Sequence, residues 1–207
     1  MMKGKVIIMA KEKEINAILI MPKHLPEKIT IENKLSKYQQ LVNGHIECFD
    51  LPNGVTIICN EEGKINGLDL NHSIKDEEGK TIDIIAGNMV IVGIDYEEGE
   101  FISLTEKQIE NITEQFFHPE IFFKFNDELH IINTDWKMKL TSLNEISFFD
   151  KNNEIKDKLI CNDEVELIRT SFSISQMYME IAAELEKDLI VNSELNFESN
   201  AFSFEDR

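Results

Sequence analysis

Residues 83–95, DIIAGNMVIVGID, form the most apolar run of this chain and limit what it can fold into. The run is too short to cross a bilayer, which takes about twenty apolar residues in a helix. Its polar interruptions are few, so it reads as a buried strand that the rest of the chain must cover. Gly87-Asn88 and Gly93 break it, which predicts a bulge or a close backbone approach near Gly87.

With 207 residues the chain suffices for one sizeable domain or two small ones. INAILIMP, residues 15–22, reads as a strand closed by Pro22. In residues 33–42 the spacing of Leu35, Tyr38, Leu41 and Val42 predicts an amphipathic helix, ended by Asn43-Gly44. Asn53-Gly54, between Ile46–Asp50 alternation and the β-branched run 55–58, predicts a β-hairpin. Turns follow at Glu62-Gly63-Lys64, Asn66-Gly67 and Glu97-Glu98-Gly99. Ser103, with Glu106 three residues on, reads as the cap of a helix whose inner line is Ile109, Ile112 and Phe116.

From His118 onward phenylalanine becomes frequent. EIFFKFNDELHIINTD predicts a hairpin across Asn126-Asp127, with WKMKLTS as a third alternating strand. ISFFDKNNEIKDKLICN and EVELIRTSF read as further strands around the Lys151-Asn152-Asn153 turn. A helix over 175–190 shows Met179, Ala182, Ala183 and Leu185 on its apolar face, and the acidic tail is expected to lack order or dock on a partner. The fold class is therefore α+β. An N-terminal domain, 1–117, has a mixed or antiparallel sheet and two helices; a Phe-rich β domain, 118–207, ends in a helix.

Charge is uneven. Residues 1–50 carry a balance of +2 and residues 51–207 one of −20, with Arg169 and Arg207 the only arginines. Phosphate binding by nucleic-acid proteins draws on clustered Lys and Arg, so direct nucleic-acid binding is not expected. The acidity suits a soluble protein or one that meets a basic partner as a DNA mimic does. Cys48, Cys59 and Cys161 lack C-x-x-C spacing, which reads as reduced thiols, with Cys48 and Cys59 buried or half-buried on strands. The apolar piece VIIMA, residues 6–10, is too short for a signal-peptide core, so a cytoplasmic protein that does not enter membranes is the default.

No Walker loop, G-x-G-x-x-G, G-x-S-x-G or H-E-x-x-H occurs, and the five histidines have no metal-ligand spacing. No catalytic residue, metal or cofactor is expected. Turns rich in Asn and Gly can instead offer amides and backbone N–H groups to a polar ligand. The residues in that pattern are Asn60, Glu61, Lys64, Asn71, His72, Asp83, Gly87 and Asn88. The plainer account, that they only make tight turns, is the favoured one of the two.

Several of these segments also resemble a known family. The matching parts are Gln40-Leu41-Val42-Asn43-Gly44, Ile46-Glu47, Cys59 through Lys64, a turn at Asn71, Asp83 through Asn88, Val92-Gly93 and Ser103-Leu104-Thr105. Together they resemble DUF3846, a family of uncharacterised domains, over about residues 18–116. His72 stands where such domains often carry Arg, against an anion-binding role there. The resemblance implies an accessory protein of a phage or mobile element, with antagonism of host defence among its roles. On that basis a non-enzymatic protein is expected, one that sequesters a small nucleotide-like ligand or binds a host defence protein. A homo-oligomer would help enclose a ligand.

Overall fold

The computed structural model describes residues 13–202, with side chains as far as residue 190. The VIIMA piece and the last five residues of the acidic tail lie outside the described residues. The chain splits into two compact units, Met1–Phe117 and His118–Arg207.

The first unit runs β1 (Glu14–Ile20), β2 (Glu27–Glu32), α1 (Leu35–Val42), β3 (Ile46–Leu51), β4 (Val55–Asn60), β5 (Leu70–Lys75), β6 (Thr81–Ala86), β7 (Met89–Asp95), β8 (Glu100–Ile102) and α2 (Glu106–Gln115). Its main sheet has the order β2-β1-β7-β4-β3, with β8 paired to the end of β7. Every pairing in it is antiparallel. β7 lies at the centre and is buried on both faces, which is why its residues are apolar without alternation. Met89 and Ile91 face a core shared with Ile18, Ile57, Ile109, Ile112 and Phe116. Val90 and Val92 face the opposite core, with Ile15, Ile58, Tyr38 and Val42. Burying each such side chain contributes about 1.5–3 kcal/mol.

Residues 83–95 are not one strand. The chain turns at Gly87, whose φ is +80°, so β6 pairs with β5 in a separate two-stranded sheet while β7 enters the main sheet. Both halves are apolar because Ile85 of β6 packs into the same core as Ile91 of β7. The hairpin at Asn53-Gly54 forms as expected, with both residues in the left-handed region. α1 ends at Asn43, also left-handed, but its inner line is Tyr38 and Val42, while Leu35 is exposed. A two-turn helix buries only one i, i+4 pair, and Tyr38 sets it by donating to Asn33 and packing edge-on against Phe101. α2 starts two residues later than its sequence suggested. Thr105 and Gln108 form the reciprocal capping box, because the Ser103 hydroxyl already accepts the Asn16 N–H.

The second unit contains β9 (Glu120–Phe125), β10 (Glu128–Asn133), β11 (Lys137–Ser142), β12 (Glu145–Phe149), β13 (Ile155–Ile160) and α3 (Glu164–Phe202). β9 and β10 form the hairpin expected across Asn126-Asp127. The strand after Trp136 does not extend that hairpin; β11 joins β12 and β13 in a sheet of its own. His130 of β10 and Asp157 of β13, 2.7 Å apart, tie the two sheets. Residues 164–172, read as a strand, are the first turns of α3. Asp163 accepts the Glu166 N–H at its start, and Leu167, Ile174 and Ile181 are buried at helical spacing. That burial also corrects the apolar face of the helix: Met177, Tyr178 and Leu185 pack on this core, whereas Met179, Ala182 and Ala183 are exposed. The tail, expected to lack order or to dock on a partner, is helical as far as Phe202.

Candidate functional site

The carbonyl end of α1 organises the residues that the sequence singled out. A helix C-terminus leaves its last carbonyls without intrahelical partners, and α1 has no basic side chain in its last turn. Two asparagine amides supply the missing donors. Asn60, at the end of β4, donates to the Val42 and Asn43 carbonyls at 3.1 and 2.8 Å, and its own oxygen accepts the Glu62 N–H. Asn88, in the β6–β7 turn, donates to the Leu41 carbonyl at 2.9 Å. Gly44 makes the approach feasible, since a Cβ there would lie 2.5 Å from the Asn60 amide nitrogen.

Asn71 is not in a turn. It lies within β5, about as buried as the core, and its amide donates to the Ile20 and Gly87 carbonyls at 2.9 and 2.8 Å. Its oxygen can only accept, so the 2.8 Å contact with His72 makes Nδ1 of that ring the donor. The His72 ring is buried edge-on against Phe116. Asn71 therefore holds the end of β1 to the β6–β7 turn, and Gly87 N–H closes the loop by donating to the Asp69 carbonyl.

The remaining expected ligands behave differently. Lys64 pairs with Asp83, whose carboxylate also accepts the Ile84 N–H, and this pair is partly exposed. Glu61 is exposed. Of the three thiols, all free, Cys59 is buried and is pushed up to about 12 by that burial and by nearby carboxylates, Glu47 foremost. It is an inert core residue. Cys48, expected to be at least half-buried, is exposed, because β3 is an edge strand of the sheet.

Beside this frame lies a cleft of about 400 Å³ lined by Pro22, Val42, Asn43, Gly67, Leu68, Asp69, Gly87 and Asn88. Only Gly87 and Asn88 of the expected ligand residues line it. Asn60 and Asn71 stand behind its walls, with their amides committed to backbone carbonyls. Leu68, Asp69 and Pro22 escaped sequence reasoning; the signal that was present, the Asn66-Gly67 turn, marked only one flank. Among the described residues, Asp69 is the one ionisable residue lining it, and the carbonyl end of α1 adds partial negative charge. Such a cleft favours neutral or cationic hydrogen-bond donors over phosphate. Among the described residues, no cluster of three or more His, Cys, Asp or Glu is placed to hold a metal ion. No helix among them is long and apolar enough to cross a membrane.

The frame of asparagines around α1 coincides with a family match. Residues 15–117 belong to the DUF3846 family, a domain of unknown function. No curated protein and no solved structure matches the chain. The DUF3846 domain spans β1 to the end of α2, so it contains the whole asparagine frame and the cleft. The Phe-rich second unit lies outside it.

Proposed function

We propose that this DUF3846 protein acts by holding a small ligand and not by transforming it. Its setting in this reading is the host cytoplasm, as an accessory protein of a phage or mobile element that blunts a defence signal. The observation that carries the binding half is the pre-organised cleft beside α1. Its volume lies within the range of small-molecule sites, about 300–1,000 Å³. Its walls are backbone segments pinned by Asn60, Asn71 and Asn88, so little ordering is needed on binding. A nucleotide-like ligand would enter base first, its exocyclic amine toward Asp69, with phosphates left outside.

The test is mass spectrometry of small molecules released by denaturing protein that has been exposed to lysate from defence-activated cells. An intact nucleoside-containing molecule, lost when Asn88 is replaced by Ala, supports the reading. Turnover of that molecule, or convergent acid and base groups around it, sinks it.

A second reading rests on the −20 balance of residues 51–207 and the exposed acidic turns at 76–78 and 97–98. There the protein would block a basic groove of a host defence protein directly. Such a complex weakens steeply with added salt, whereas a cleft-bound ligand does not.

A further inference from the structure

α3 carries two apolar faces, and the second unit uses only one of them. Leu167, Ile174, Tyr178, Ile181 and Leu185 pack into its core. On the other side Val165, Ile168, Phe172, Met179 and Leu189 are each 56–61% exposed. With Ser175, Ala182 and Glu186 they repeat at alternating steps of three and four, the a and d positions of a heptad. Over residues 165–189 this stripe is about 36 Å long at 1.5 Å per residue. Monomeric proteins rarely expose five large apolar side chains along one helix face.

We propose that two copies of this chain pair antiparallel through this outer face of α3. Layers of an antiparallel pair join an a position of one helix to a d position of the other. One register places Val165 opposite Leu189, Phe172 opposite Ala182, and Met179 opposite Ser175. In these three layers each bulky side chain meets a small or aliphatic one, as interdigitated packing requires. The last layer joins Ile168 to Glu186 and sets Arg169 beside the second copy's Glu186. A parallel, in-register pair would instead face Glu186 with Glu186 and leave both far from either Arg169. Charge therefore selects the antiparallel arrangement. Area is adequate too: five side chains at roughly 100 Å² each cover about 1,000 Å² over two copies, the lower bound for a specific interface.

The test is the mass of the full chain in solution by light scattering after size exclusion, over a concentration series. A species of twice the 24.0 kDa chain mass is expected. Phe172→Glu with Met179→Glu should weaken the pair by at least about tenfold. The far-UV circular dichroism should not change, because neither side chain contributes to the core. Orientation is read by oxidation in a Cys48→Ser background. Ser175→Cys together with Met179→Cys should cross-link two chains, while Ser175→Cys alone should not. A single 24.0 kDa species at every concentration overturns the proposal, whether the first unit or another protein covers the stripe. Cross-linking by Ser175→Cys alone overturns the antiparallel arrangement.

Discussion

Removing the Asn71 side chain takes the amide donor from the Ile20 and Gly87 carbonyls at a position that water does not reach. Leaving buried acceptors unsatisfied costs about 1–3 kcal/mol each, so Asn71→Ala should lower unfolding stability by about 2–6 kcal/mol in urea titrations. Asn71→Asp, nearly the same shape, should do no better, because a carboxylate oxygen would face two carbonyls. Gly87 is constrained in another way. Its φ of +80° strains any L side chain, and a Cβ would lie 2.7 Å from Leu68 Cδ1. Gly87→Ala should therefore cost about 1–2 kcal/mol by the same titration. Because Leu68 lines the cleft, the substitution should also reshape it. Both residues stood out in the sequence, as an Asn and a Gly in a motif. Their partners did not, since a side-chain amide gives no sign of which distant carbonyl it will meet.

Helix α2 shows what local chemistry can and cannot specify. Two hydroxyls, Ser103 and Thr105, compete to start it, and propensity alone does not separate them. The choice falls to Asn16 of β1, whose N–H occupies the Ser103 oxygen. Thr105→Ala should then cost about 1 kcal/mol of stability in denaturant unfolding, the usual worth of an N-cap. Glu145 of β12 offers a pH probe at the same scale. Hydrogen bonds from Thr141, Ser147 and Lys158 hold its carboxyl down to about 2, against an ordinary 4.5. A depressed folded-state value means that the contribution is complete above about pH 4.5 and fades as the pH falls toward 2. Glu145→Gln should flatten the acid limb of the stability curve in that window, measured by urea midpoints at a series of pH values. An unchanged limb would assign the acid sensitivity to other carboxylates, such as Asp150, which the Glu154 N–H also holds low.

At the scale of the whole molecule, both cores of the first unit are built only from residues within the DUF3846 match, Ile15 to Phe116. A chain cut after residue 117 should thus unfold in one cooperative transition, followed by circular dichroism during heating; a broad, non-cooperative melt would show that the second unit is needed. The sequence by itself determined the hairpins at Asn53-Gly54 and Asn126-Asp127, the end of α1 and the existence of α2. Each depends on backbone conformations and spacings set within a few residues. It also carried the family in the pattern of its Asn and Gly turns. Only the tertiary structure decided that residues 83–95 serve two sheets and that residues 164–172 are helical, because a short apolar run has no period until its neighbours choose one. It likewise decided that the amides of Asn60, Asn71 and Asn88 face inward to backbone carbonyls. Hydrogen bonds between positions dozens of residues apart arise only when packing brings a donor and an orphaned acceptor together away from water.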